Sequence, residues 1–204
     1  MIAARGLRIP LGGGRFLAPP DLAIGGTGVY LIEGDNGSGK TTLVRCLCGI
    51  LSRYEGTVEL GGRDLRVLRR DEIARQTSYL PQAMNPEADT ETEAFVREGL
   101  YANPRSRFDE VADALGVRSF FGRGIAGLSG GERQLCRIAR ALAAEVPHVF
   151  LDEPDSYLGR KNRERFTSLV RALSERSAIV IVTHGAITFT DADRLLVNLS
   201  PEES

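Results

Sequence analysis

Residues 29–51 hold the arrangement that restricts this chain most. Val29–Glu33 (VYLIE) is a short, apolar, β-branched run, the composition of a strand buried on both faces. It stops at Gly34-Asp35-Asn36-Gly37-Ser38-Gly39-Lys40-Thr41, and Leu43, Val44, Leu47 and Leu51 follow at helical spacing. Strand, glycine-rich turn and helix in this order form the context that the pattern G-x-x-x-x-G-K-[ST] requires. Glycines let the backbone close around a polyphosphate with its N–H groups pointing inward, and the new helix adds its positive end. Lys40 is then expected at the β- and γ-phosphates of a nucleotide. The Thr41 hydroxyl is expected on Mg²⁺, with Thr42 beside it in the first helical turn. The plain alternative is a glycine-rich turn that precedes Lys-Thr by chance, a match on the order of one in a hundred for a chain of this size.

The rest of the chain alternates similarly. Thr57–Leu60, Ser78–Leu80, His148–Leu151 and Ala178–Val182 read as short strands, and Leu195–Leu199 as a strand that closes the sheet. Asn162–Glu175 reads as a helix faced by Phe166, Leu169, Val170 and Leu173. Another helix follows Gly131, with Leu135, Ile138, Ala139 and Leu142 in register. Such alternation implies an α/β fold with a mainly parallel sheet. The stretch from about Ala83 to Gly127 reads instead as a mostly helical insert. Thr90-x-x-Glu93 is a capping-box pattern expected to start a helix running to Asn103. Phe108, Val111, Ala112 and Leu115 face a second helix, which Gly116 is placed to end.

With 204 residues, 42% of them hydrophobic, the chain can bury a core without disulfide or metal support. A formal net charge of −1 argues against a protein that holds nucleic acid by charge, so no nucleic-acid partner is expected. Cys46, Cys48 and Cys136 all fall in helical segments and read as small buried residues in a reducing cytoplasm. Met1–Gly14 lacks a signal peptide's apolar core, and no apolar run reaches spanning length. A cytoplasmic chain that meets a membrane only through a partner is the expectation.

Leu128-Ser129-Gly130-Gly131-Glu132 opens its helix with a serine and two bare backbone positions, which makes a second anion-binding helix terminus. A flexible N-cap is the bland alternative. One domain cannot readily wrap a single triphosphate with both glycine loops. A two-fold dimer would place Ser129 and the amides of Gly130, Gly131 and Glu132 against the γ-phosphate held by the other copy.

Taken in order, these segments resemble the ATP-binding-cassette ATPases over nearly the whole chain. The resemblance implies a P-loop NTPase core, residues 1–82 and 128–204, with a small N-terminal β portion and an inserted α-helical subdomain at about 83–127. It implies that Gln82 is the Q-loop glutamine, sensing Mg²⁺ and the γ-phosphate and coupling to a transmembrane partner. Val149-Phe150-Leu151-Asp152-Glu153 looks like Walker B, with Asp152 for Mg²⁺ and Glu153 to polarise the attacking water. By itself an Asp-Glu pair after an apolar strand is equally the acidic start of a loop. Thr183-His184 resembles the H-loop, whose histidine contacts the γ-phosphate, whereas His148 is assigned to structure. ATP and Mg²⁺ are the implied cofactors.

Two departures from the family stand out. The D-loop usually ends in Ala-Leu-Asp after Glu-Pro, but here Ser156-Tyr157-Leu158-Gly159 leaves glycine in place of the aspartate. The family also stacks an aromatic on adenine; the spacing points near Leu11, and Phe16 is the nearest aromatic. The reading that results is a homodimer or heterodimer of cassettes on the cytoplasmic face of a membrane, driving a separate polytopic permease. A soluble cassette of iron–sulfur assembly, translation or repair is the second reading. A weakly hydrolysing regulatory cassette is the third. The compact length resembles small exporter-type cassettes such as those of haem export.

Overall fold

Apolar five-residue runs bounded by glycine or proline have too few residues for a helix and no polar face, so they pair as buried parallel strands. The computed structural model of the chain describes residues 1–83, 90–101, 106–183 and 189, and the backbone of 193–195 and 202–203. The strands are β1 (Ile2–Gly12), β2 (Arg15–Leu17), β3 (Leu22–Ile24), β4 (Gly28–Ile32), β5 (Glu55–Leu60), β6 (Arg63–Asp64), β7 (Thr77–Leu80), β8 (His148–Asp152), β9 (Ala178–Val182), β10 (Asp193–Leu195) and β11 (Glu202–Glu203). The helices are α1 (Lys40–Leu47), α2 (Arg70–Ala74), α3 (Thr92–Arg97), α4 (Phe108–Leu115), α5 (Gly130–Ala143) and α6 (Arg160–Ser174).

A parallel sheet runs in the order β10-β4-β9-β8-β7, and an antiparallel sheet in the order β11-β2-β1-β5-β6 with β3 also on β1. The parallel strands are in register: Ile32 lies opposite Val182, Val182 opposite Asp152, and Leu80 opposite Leu151. All of them therefore end along one edge, where an open α/β sheet presents its loops to ligands.

The period of two along each parallel strand sorts side chains into two cores. Val29 and Leu31, Val149 and Leu151, and Ile179 and Ile181 join the core under α3, α4, α5 and α6. Tyr30 and Ile32, Phe150, and Ala178, Val180 and Val182 join the core shared with α1 and the antiparallel sheet. His148 is buried at the start of β8, and burial pushes its imidazole down to about 4, so it stays neutral near pH 7. The three cysteines are buried free thiols, each pushed up to about 12 by burial, as suits packing residues.

The observed elements differ from the expected ones at several places; α1, for one, ends at Leu47, short of the expected Leu51, and Gly49 follows it in the left-handed conformation, φ 76°. Helix α3 begins at Thr92, and its cap is Glu91, whose carboxylate accepts from the Glu93 and Ala94 amides at 2.9 and 3.0 Å. Thr90 does not cap it because its carbonyl accepts from Ile125 N and the neighbouring Glu91 bridges Gly124, which keeps the chain extended there. A 3-10 turn at Glu98–Leu100 follows α3, and Asn103 lies outside the described residues. The last strand of the parallel sheet is Asp193–Leu195, earlier than the expected Leu195–Leu199, of which 196–199 lie outside the described residues. Gly116 ends α4 in the left-handed conformation, φ 71°, as its position predicts.

Candidate nucleotide site

The turn between β4 and α1 needs backbone that only glycine adopts readily. Gly37 and Gly39 have φ of 77° and 97°, and Gly39 is the residue before the first turn of α1. Its bare Cα also admits the β1–β2 hairpin: a Cβ there would meet Leu17 Cδ2 at 2.9 Å. The Lys40 side chain is buried and folds back over the loop, donating to Gly34 O at 2.6 Å and Asp35 O at 2.8 Å. The ammonium is thus held at the mouth of the turn by the loop that it closes.

A cleft of about 590 Å³ opens above this turn, lined by Asn36–Thr42 together with Gln82, Glu153, Leu11 and Arg15. Gln82 and Glu153 reach it because β7 and β8 end on the same sheet edge as β4. Asp152, the last residue of β8, is buried below them. Burial, aided by the Glu153 charge, raises its carboxyl above the usual range, while the nearby Thr41 and Tyr79 hydroxyls pull it back. The Tyr79 hydroxyl donates to Asp152 Oδ2 at 3.3 Å, and Asp152 Oδ1 is buried with no hydrogen-bond partner among the described residues.

Glu153 leaves the strand in a left-handed conformation, φ 50°, and Tyr157 repeats it at 66°. Such geometry in a non-glycine residue costs about 1–3 kcal/mol and persists only where neighbours enforce it. Here the Glu153 amide donates to Val182 O at 3.0 Å, and its carbonyl accepts from Ser156 N. Thr183 is fully buried beside β4, its amide donating to Ile32 O at 3.3 Å. His184, the next residue, lies outside the described residues.

Ser129 and Gly130 stand elsewhere. Both are exposed, and none of Ser129, Gly130, Gly131 and Glu132 lines the cleft over the β4–α1 turn. Ser129 caps α5: its Oγ accepts from Glu132 N, and its own amide donates to Glu132 Oε2 at 2.8 Å. This reciprocal capping leaves the Gly130 and Gly131 amides at the helix terminus.

Comparison with known proteins bears on the same elements. A family model described as ABC transporter matches residues 18–156, from just after β2 to beyond the Asp152-Glu153 pair. This chain belongs to the ABC transporter family. It is 34% identical over 205 residues to the hemin import ATP-binding protein HmuV of Streptomyces coelicolor, covering 96% of this chain and 73% of that one. It is 32% identical over 190 residues to the cobalamin import ATP-binding protein BtuD of Halobacterium salinarum, covering 88% of this chain and 48% of the relative. Among solved structures, the dimeric bacterial ABC transporter cassette MJ0796 superposes with a TM-score of 0.76 at 25% identity, over 90% of this chain and 88% of that one.

Phe16, the expected aromatic, does not line the cleft. On β2, Leu17 packs toward Gly39 and Arg15 shares its face by the period of two, so Phe16 points the other way. Its ring is covered by the Arg8 guanidinium at 3.7 Å. Leu11 and Arg15 occupy the cleft instead, one on each side of the glycine hairpin tip. Arg15 was not legible as a site residue because a three-residue strand is too short to reveal which face is which. Gly159, where the D-loop aspartate is missing, is the exposed N-cap of α6 at an ordinary φ of −67°.

Proposed function

We propose that this chain binds and hydrolyses MgATP as one half of a head-to-tail pair of cassettes that powers a separate transmembrane subunit. The observation that carries this reading is the separation of two anion-binding termini within one chain. The cleft over the β4–α1 turn gathers Asn36–Thr42, Gln82 and Glu153, while exposed Ser129 lies outside it. Two half-sites on one molecule are completed when a second copy, or a related cassette, turns its Ser129 terminus onto the first. The match to a dimeric cassette supports the same arrangement.

In this reading the 34–42 loop wraps the phosphates with its amides, and Lys40 turns from the Gly34 and Asp35 carbonyls to the β- and γ-phosphates. Thr41, Asp152 and Gln82 would hold Mg²⁺. The fit rests on Asp152 Oδ1, a hard oxygen left without a hydrogen-bond partner close to Thr41. Among the described residues no cluster of three or more His, Cys, Asp or Glu could cage a metal, which suits an ion held largely by phosphate and water. When bound, the ion would neutralise charge on the β- and γ-phosphate oxygens. Glu153 orients the attacking water and draws its proton, and Ser129 and His184 meet the γ-phosphate from the partner and from the own chain respectively. The 1–82 and 128–204 segments form the nucleotide core, and the helical segment of about 83–127 meets the permease together with Gln82.

No helix of the described residues is long and apolar enough to cross a membrane. The relatives' names as import ATP-binding proteins support a membrane contact made through that partner and a peripheral place on the cytoplasmic face. The relatives are named for hemin and cobalamin import, which supports import over the export that chain length suggested. It also favours transport over a soluble or purely regulatory cassette. The test is ATPase activity per molecule across a dilution series, with the monomer fraction followed by sedimentation. Activity is expected to fall as the monomer accumulates; full turnover in a purely monomeric sample would overturn the paired site.

The base rests on Leu11 and the flat guanidinium of Arg15 in place of an aromatic ring. Cation–π contacts of this kind contribute about 0.5–2 kcal/mol, so Arg15→Ala is expected to weaken ATP binding by about 2- to 30-fold. Stacking does not read base edges, and GTP should lose affinity equally. Phe16→Leu, outside the cleft, should leave both unchanged. Calorimetric titration with the two nucleotides checks all three expectations.

A further inference from the structure

We propose that Gln134 and Arg137 are positioning residues for hydrolysis, which hold the Glu153-Pro154 loop and the Gln82 loop at a set place on the signature helix. They lie three apart on α5 and so share one face. Gln134 is 4% exposed and Arg137 9%, among Leu135, Cys136, Ile138 and Ala139, which are buried and apolar. Gln134 Nε2 donates to Pro154 O at 3.0 Å. Arg137 Nη1 donates to Gln134 Oε1 at 3.0 Å, which fixes which end of the amide faces the proline. Arg137 Nη2 donates to Pro81 O at 3.1 Å and to Gln82 O at 3.4 Å. One continuous run of hydrogen bonds thus joins the residue after Glu153, the signature helix and the backbone of Gln82.

Packing alone does not call for this pair. The Arg137 guanidinium is a charge taken out of water, and apolar residues of similar volume would fill the space without that penalty. Both side chains instead address carbonyls of site loops. The loop they hold is strained: Glu153 and Tyr157, with φ of 50° and 66°, stand on either side of Pro154. The same helix meets it a second time, since a Cβ on Gly131 would lie 3.2 Å from Tyr157 O. Releasing the Pro154 carbonyl leaves Glu153 free to relax out of its left-handed conformation and carry its carboxylate away from the attacking water. Because α5 also presents Ser129 to the partner's nucleotide, one rigid element sets both contributions. In a chain with Gly159 in place of the D-loop aspartate, this buried link is the connection through which one site senses the other.

The proposal rests on Glu153 and Gln82 acting as described above, and the test separates the two. Gln134→Glu keeps an acceptor for Arg137 but has no donor for Pro154 O. It is expected to lower kcat by about 10- to 100-fold with the KM for ATP within about two-fold, the pattern of a misplaced group. Arg137→Lys, which retains one donor for the loop carbonyls, should keep more activity than Arg137→Met. In a Glu153→Gln background, Gln134→Glu should produce no further loss, an outcome that general destabilisation would not give. Should Gln134→Glu fail to fold, the Arg137 pair with the same background carries the test. Variants at both positions that keep wild-type kcat and ATP cooperativity, while Glu153→Gln lowers turnover as expected, would overturn this proposal alone. Wild-type turnover in Glu153→Gln would overturn the role of Glu153 instead.

Discussion

Lys40→Ala is expected to reduce the affinity for MgATP by about 30-fold or more, the largest binding loss of any single substitution in the chain. Removing one partner of a desolvated charge-to-phosphate contact costs about 2–5 kcal/mol, because the phosphate oxygens it served remain in the site without it. The geometry suggests why no neighbour compensates. The Lys40 ammonium is buried at the mouth of the turn within 3 Å of the Gly34 and Asp35 carbonyls, and it is the only lysine or arginine among Asn36–Thr42. Alanine also strands those two carbonyls, so a lower melting temperature without nucleotide should accompany the loss. Equilibrium titration with ATP, done beside a melting curve, separates the two effects. Unchanged affinity would remove the phosphate role from this turn.

The second large effect is expected at Glu153. Glutamine there keeps size and shape, and the left-handed backbone at φ 50° is no worse for it than for glutamate. What it loses is the capacity to take a proton from water. General-base assistance is worth about 10²- to 10⁴-fold, so turnover should fall by that factor while ATP affinity is retained. With hydrolysis blocked, the nucleotide-closed pair should accumulate and elute as a dimer in MgATP but not in ADP. Wild-type turnover would contradict the assignment, whatever the dimer does.

Much of this was legible residue by residue. Val29–Glu33 and Ala178–Val182 announced buried strands because their apolar, β-branched runs leave no polar face for solvent. Gly37 and Gly39 announced the turn because few other residues adopt φ of 77° and 97°. Ser129, Gly130 and Gly131 announced a helix start because a serine and two bare backbone positions precede the helical spacing of Leu135, Ile138, Ala139 and Leu142. The Thr90–Glu93 box carried the same local signal and was overridden: Thr90 and Glu91 pair with the 124–125 segment, far away in sequence, before any helix can begin.

The amino-acid sequence by itself determined the glycine turn after β4, the Ser129 helix start and the strand-helix alternation that brings Asp152 and Glu153 to the edge where the turn lies. Each of these is set by contacts within one or two turns of chain, and local patterns of glycine, polarity and period encode such contacts directly. Only the tertiary structure decided that Arg15 and Leu11, not Phe16, enter the cleft, and that Glu153 sits in a left-handed conformation. It alone joined Gln134 to Pro154, 20 residues away, and Arg137 to Pro81, 56 away. The physical reason is register. Moving a strand by one residue reverses every side chain on it, and a buried side chain chooses its partner by what the fold carries to it, which no window of sequence contains.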